Sequence, residues 1–315
     1  MKQEKNEGIL VTGSHRSGST WVGRMIALSP KVGYIHEPFN MKSSRPGKLN
    51  VDVNYWYQYA LDGDELRFRQ AFEKTLNFQY SPLEEIKVIR SWRDSIRMIR
   101  DFTQFKWHNF LNSKPLIKDP LALCSADWLF ANFSIKPVVL IRHPAAFVSS
   151  LKNQGWGFDF SNFLHQPHLL EDKLSPFKSE IEEYVYRDFN IISQASLLWK
   201  IIHYVIYEYQ QNHPNWFFVK YEDIATDPIK SFQEIYKYLN LDFTNNIKNQ
   251  IWYYSNPSNS LNTPNPFFKR YQSKITRNSS ANLNIWKERL TTEEIKQIKY
   301  SVKDISHLFY SENDW

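Results

Sequence analysis

Five short apolar runs, each bounded by turn-forming residues, set the rhythm of the chain: Gly8–Thr12, Val32–His36, Pro115–Lys118, Pro137–Arg142 and Trp216–Tyr221. Runs this short and this uniformly apolar read as strands buried on both faces. Between them, apolar residues recur at helical spacing around Trp21–Leu28, Leu83–Asn112, Ala122–Asn132, Ala146–Lys152, Glu180–Gln211 and Pro228–Leu239. Strand alternating with helix predicts an α/β fold: a doubly wound, mainly parallel central sheet with flanking helices. Such sheets gather ligands at the carboxyl ends of their strands. Gly13–Thr20, His36-Glu37, Lys118-Asp119 and Arg142 all fall at such ends. Two stretches break the rhythm. Residues 40–66 are polar and Tyr-rich, and 252–282 is rich in Asn, Pro and Ser. Both read as long loops, of the kind that form lids or binding loops. Trp286 and Leu290 then start a closing helix.

Composition narrows the field. The 315 residues suffice for one α/β domain over 1–315, with insertions around 40–110 and 153–180 and the late loop 252–282. Aromatics at 16% supply ample packing material. The net charge of +6 is spread along the chain, which suits a small anionic ligand better than nucleic acid, and no base-reading motif accompanies it. Cys124 is the only cysteine, excluding an intramolecular disulfide or a cysteine-based zinc site, and reads as a small buried hydrophobe. No histidine spacing suggests a metal ligand set, so no metal is expected. The chain starts on a polar segment without a signal peptide pattern, and no apolar run approaches a transmembrane segment. A cytoplasmic location is therefore expected.

The chemistry concentrates in Gly13-Ser14-His15-Arg16-Ser17-Gly18-Ser19-Thr20, between the first strand and first helix. Strand, tight Gly/Ser loop, helix: this order aims backbone N–H groups and a helix's positive end at one spot, where phosphate sits well. The loop departs from the nucleotide-triphosphatase pattern where G-x-x-x-x-G-K-[ST] requires lysine, for Ser19 stands there and the cation has moved to Arg16. A kinase would lose its β/γ-phosphate lysine by this change. An enzyme that grips a phosphate without cleaving it would not.

This loop resembles the 5′-phosphosulfate loop of the PAPS-dependent sulfotransferases (PAPS is 3′-phosphoadenosine 5′-phosphosulfate), whose fold is P-loop NTPase-like. A second segment, Lys136–Ser150, resembles the family's 3′-phosphate motif, in which an arginine ends a buried strand and a serine follows eight positions later. Arg142 and Ser150 have that spacing. A bidentate guanidinium and a hydroxyl on the next helix can together hold a dianionic phosphate.

What the resemblance implies is a single sulfotransferase domain that moves a sulfuryl group from PAPS to a hydroxyl of a carbohydrate or other small-molecule acceptor. Arg16 contacts the phosphosulfate, backed by the N–H groups of Ser17, Gly18, Ser19 and Thr20. Glu37, followed by Pro38, corresponds to the glutamate base of Golgi-type and several bacterial members. Its burial is expected to raise its pKa, and Pro38 to keep it extended. The plainer alternative for Glu37 is a helix cap or an arginine partner. His36 is the rival base, and strand alternation would send it to the opposite face. The cytosolic branch uses a histidine where this chain has Pro120, which strengthens Glu37. Lys118-Asp119-Pro120 resembles the tyrosylprotein sulfotransferases, whose lysine neutralises the bridging oxygen, so Lys118 inherits that role, with a surface lysine as the alternative. Asp119 reads as a cap for the next helix. Tyr221 lies near the adenine, Arg277, Ser279 and Ser280 close over the 3′-phosphate, and Trp199 packs in the core. Apart from the resemblance, aromatics in 102–110 and 156–163 are read as lining the acceptor cleft or, equally, as packing in the core or a lid. A P-loop kinase and a non-catalytic nucleotide-binding module on the same fold are the competing readings.

Overall fold

The computed structural model describes residues 7–42, 45–255 and 283–315. Five strands form one all-parallel sheet: β1 (Gly8–Gly13), β2 (Val32–His36), β3 (Lys114–Lys118), β4 (Ile135–Ile141) and β5 (Phe217–Lys220), in the order β2-β3-β1-β4-β5. All five expected strands are present, within two residues at either end. Alternation divides their side chains between two apolar layers. Leu10, Ile35, Ile117 and Val139 face one side, while Ile9, Val11, Tyr34, Leu116, Val138 and Leu140 face the other. Burial on both faces explains why β1 to β4 read as continuous apolar runs, while β5, at the sheet edge, is half-buried.

The order places β1 at the centre, with β3 on one side and β4 on the other. The chain moves outward from β1 in both directions, and the loops after β1 and β4 therefore diverge from neighbouring strand ends. That crevice is where open α/β sheets bind ligands.

Helices cover both faces. α1 (Ser19–Ile26) follows β1; α2 (Glu65–Leu76), α3 (Pro82–Ile86) and α4 (Trp92–Phe110) lie between β2 and β3. α5 (Ala126–Asn132) precedes β4, and α6 (Pro144–Gln154) leaves it. α7 (Lys178–Tyr186) and α8 (Ile191–Asn212) lead to β5, followed by α9 (Tyr221–Thr226), α10 (Pro228–Tyr238), α11 (Asn245–Ser255) and α12 (Thr292–Ser306).

Three expectations change. The helical stretch 83–112 is two helices, because Ser91 caps α4 by accepting from Asp94 N. The stretch 180–211 is likewise broken, with Asn190 accepting from Ser193 N to start α8. Both interruptions are side-chain caps that compete with helix continuation. The expected loop 40–66 gives way to α2 from Glu65, capped by Asp64, and 252–255 close α11. The rest of the late loop, with Arg277, Ser279 and Ser280, lies outside the described residues. The closing helix begins as a short turn, Ile285–Arg289, and continues as α12. No helix among the described residues is long and apolar enough to cross a membrane.

Candidate active site

The loop after β1 is shaped by two glycines. Gly13 has φ 131°, and a Cβ there would lie 2.3 Å from the Leu140 carbonyl oxygen of β4. Gly18 has φ 85°, and a Cβ there would lie 2.6 Å from the Tyr221 ring. Both positions combine a left-handed backbone with no room for a side chain. Arg16 also adopts a positive φ of 65°. Val22 N bonds to the Gly18 carbonyl at 3.1 Å, starting α1 and leaving the earlier N–H groups of the helix pointing out of its end. Gly18, Ser19 and Thr20 line a large cleft there, as does Arg16. Ser17 does not. Its hydroxyl donates to the Ser14 carbonyl at 2.5 Å and its N–H to the same oxygen at 3.3 Å, so it braces the loop from within.

Arg142, just beyond β4, meets this loop. Its Nη1 donates to the Arg16 carbonyl oxygen, and its guanidinium lies 5.0 Å from the Tyr221 ring centroid. Arg16 in turn donates from Nε to Ser150 Oγ on α6 at 3.0 Å. The two motifs read from the sequence thus form one continuous polar patch at the centre of the sheet's carboxyl edge. The backbone of Arg142 is fixed from beneath by α8. Trp199 Nε1 donates to its carbonyl at 2.8 Å. Burial pushes the pKa of His203 down to about 3, leaving the ring neutral. With Nδ1 donating to the Trp199 carbonyl at 2.8 Å, its Nε2 accepts from Arg142 N at 3.4 Å.

At the ends of β2 and β3, Glu37 and Lys118 form an ion pair. Here the expected extended backbone is overturned. Glu37 N still joins the ladder to the Lys118 carbonyl, but φ at Glu37 is 39°, and Asn40 N closes a turn onto the Glu37 carbonyl at 3.2 Å. Pro38 excludes the right-handed helical basin for Glu37, and the chain takes the left-handed one instead of the extended one. Strand alternation consequently fails. His36 Nε2 lies 3.9 Å from Glu37 Oε2, imidazole and carboxylate both line the cleft, and His36 is half-exposed. Asn40 donates to the same Oε2 at 2.7 Å.

The electrostatics of Glu37 also differ from expectation. Burial works to raise its pKa, but Lys118, then His36, and the hydrogen bonds from Lys118 and Asn40 outweigh it, and the carboxyl is held below its usual range. Lys118 is fully buried and does not line the cleft; it approaches Glu37 from behind. The surface-lysine alternative is thereby excluded. Its methylenes pack on Gly23, where a Cβ would lie 2.9 Å from Lys118 Cγ. Asp119 caps the following turn as expected, accepting from Leu121 N at 2.9 Å, and also holds Phe39 N at 2.6 Å. Burial, then the nearby Glu37, push its pKa up to about 7.

The cleft, of about 2520 Å³, runs from Arg142 and Ser150 past Arg16 and Glu37 to Trp56, Arg100 and Trp107. Among the described residues no group of three His, Cys, Asp or Glu side chains is arranged to hold a metal.

The sulfotransferase domain family model matches residues 6–307, nearly the whole chain. The chain belongs to the sulfotransferase family. Solved structures similar to this sulfotransferase include the sulfotransferase domain of the curacin biosynthetic pathway, 14% identical, covering 97% of this chain and 98% of that one, with a TM-score of 0.48. A mouse sulfotransferase, SULT7A1 complexed with PAP, is 14% identical over 98% of this chain and 86% of that one (TM-score 0.47). One from Alicyclobacillus acidocaldarius is 11% identical over 91% and 98% (TM-score 0.38). No curated protein sequence matches the chain.

Several residues in or behind the cleft have no role assigned from the sequence motifs. His15 Nδ1 and the Tyr57 hydroxyl are 2.6 Å apart, and burial, then Arg16, lower the His15 pKa to about 4. Trp156 lies 5.4 Å from the Arg16 guanidinium. His203 and Trp199 support Arg142 from a helix that reads as plain core. Their signal in the sequence is weak, since Trp-x-x-x-His on an apolar helix is equally a packing pair.

Proposed function

We propose that this sulfotransferase transfers the sulfuryl group of PAPS to a hydroxyl of a carbohydrate or other small-molecule acceptor, releasing a sulfate ester and adenosine 3′,5′-bisphosphate. The observation that carries this reading is the contact chain Arg142–Arg16–Ser150, which joins a strand-end guanidinium to a helix-end anion cradle. The residues present fit the co-substrate: Gly18 lets the loop pass close to the Tyr221 ring, and two arginines and a hydroxyl converge where two anionic groups would sit. Arg142 and Ser150 form the 3′-phosphate clamp, with Arg277 and Ser279 proposed to close over it. Arg16 and the N–H groups of Gly18, Ser19 and Thr20 hold the 5′ end, Ser17 bracing them, and Tyr221 borders the adenine.

Bound PAPS supplies an activated sulfur on a phosphate leaving group. The acceptor oxygen forms a bond to sulfur as the bond from sulfur to the phosphate oxygen breaks, and that oxygen keeps the electron pair. Glu37 takes the acceptor proton. Held ionised by Lys118, it is a weak base at first. As charge grows on the leaving phosphate, the Lys118 ammonium, buried behind Glu37, must turn toward the cleft to share a donor with that oxygen. Losing part of that partner makes Glu37 more basic when the proton must move. Lys118 and Arg16 are the charge stabilisers, in the manner of other group transfers dominated by positioning and fixed electrostatics.

The glutamate at the β2 end and Pro120 in place of a histidine favour the Golgi, bacterial and tyrosylprotein type over the cytosolic type. We read the chain as one domain working without a metal, in the cytoplasm. Transfer of labelled sulfuryl from PAPS to a panel of sugars, lipids, phenols and peptides tests the reading. The Glu37→Gln variant is expected to keep nucleotide affinity and lose transfer, and undiminished turnover would remove Glu37 from its role.

A further inference from the structure

Helix α4 carries an apolar stripe that the described residues leave exposed. Trp92, Ile96, Ile99, Trp107 and Phe110 are 70, 53, 58, 59 and 80% exposed, and their spacing places them along one side of the 19-residue helix. Leu83, Ile86 and Val88, on and after α3, extend the surface. Nine of the sixteen large apolar side chains exposed among the described residues fall between 83 and 111, so this is a patch and not scatter. The buried side of α4 contributes only Asp101 and Phe105.

Basic side chains outnumber acidic ones around the stripe. Arg90, Arg93 and Lys106 are exposed beside it, as are Arg97 and Arg100, which pair with Asp94 and Asp101 of the same helix. The acidic groups of the same segment are already matched: Glu84 to Lys87, Glu85 and Asp94 to Arg45, and Asp101 to Lys48. An apolar stripe with tryptophans toward both ends and basic flanks is the pattern of a helix lying in a membrane interface, with its cations among anionic headgroups. A symmetric pairing of two copies would instead set these cations against one another. Arg100, Thr103, Gln104 and Trp107 also line the cleft, so the cleft runs alongside the stripe.

We propose that α4 docks the sulfotransferase on an anionic phospholipid surface, which brings the mouth of the cleft to the level of the headgroups. Co-sedimentation of the full chain with vesicles tests this. Vesicles of phosphatidylcholine with one third phosphatidylglycerol are expected to carry the protein down, pure phosphatidylcholine at least tenfold less. The double variant Ile96→Glu, Ile99→Glu is expected to lose at least tenfold in binding, and Arg93→Glu, Lys106→Glu several-fold. Each should retain its heat of binding to adenosine 3′,5′-bisphosphate, which shows that the fold survives. No sedimentation with anionic vesicles, or sedimentation unchanged in the Ile96/Ile99 variant, overturns the docking while the nucleotide titration stands apart. A concentration-dependent dimer by analytical ultracentrifugation that Ile96→Glu dissociates also overturns it, assigning the stripe to a second copy.

Discussion

The Arg142 guanidinium, at the end of β4, donates to the main-chain carbonyl of Arg16 in the loop after β1. One arginine therefore touches both motifs: it shapes the loop, and in the proposed site it also binds the 3′-phosphate. Removing it should damage binding of a doubly phosphorylated nucleotide more than of a singly phosphorylated one. For Arg142→Ala, calorimetry is expected to show roughly a 10- to 100-fold loss for adenosine 3′,5′-bisphosphate, the size of a lost charged hydrogen-bond pair. Equal losses for adenosine 5′-phosphate and the bisphosphate would place Arg142 away from the 3′-phosphate.

Trp199 holds the Arg142 carbonyl through Nε1 while its ring stacks on His203, the centroids 4.0 Å apart. Trp199→Phe keeps an aromatic ring and deletes the donor. Bisphosphate affinity should fall about 2- to 10-fold, in keeping with one neutral hydrogen bond, with little change in turnover at saturation. A fall in turnover with unchanged affinity would separate this support from the clamp.

The pH profile distinguishes the two members of the Glu37–Lys118 pair. As the proposed base, Glu37 must be ionised to accept a proton, and its pKa lies below the usual carboxylate range, so activity is expected to be lost only as pH falls through that lowered value. In Lys118→Met the cation is gone and burial remains, so the acid limb of kcat/KM should move to higher pH while the rate falls. A limb that stays in place would show that Lys118 does not tune Glu37.

Asp119 ties the exit of β2 to the exit of β3, accepting from Phe39 N and Leu121 N. Asp119→Ala leaves both N–H groups without a partner. Its unfolding free energy in urea should fall by about 2–4 kcal/mol, from a lost cap and an unmet buried donor. Loss of activity with unchanged stability would point to a direct role for this carboxyl.

The strands were legible because a parallel sheet buries both faces, turning each strand into an apolar run with turn residues at its ends. That the loop meets Arg142 and Ser150 was legible because the ends of adjacent parallel strands and the helices after them bring residues at fixed spacings together. Breaks at Ser91 and Asn190 were not, since a helix pattern runs on through a capping residue. Helix α2 left a readable trace, Asp64 followed by Phe68, Ala71, Phe72 and Thr75, under the polar character of its neighbours. The turn at Glu37 was hidden for a different reason. Pro38 narrows the backbone of the preceding residue without choosing between the extended and left-handed basins, and the pairing with Lys118 that lowers the Glu37 pKa exists only across two strands.

The central claim is that the β1 loop and the β4 end form one site for a nucleotide bearing phosphates at both 3′ and 5′ positions. Isothermal titration of the unmodified protein, with adenosine 3′,5′-bisphosphate and then adenosine 5′-phosphate, tests it most directly. Tighter binding of the bisphosphate, by roughly tenfold or more for the added charged contacts, is the expected result. Equal affinity for the two, or no heat with the bisphosphate, would contradict it.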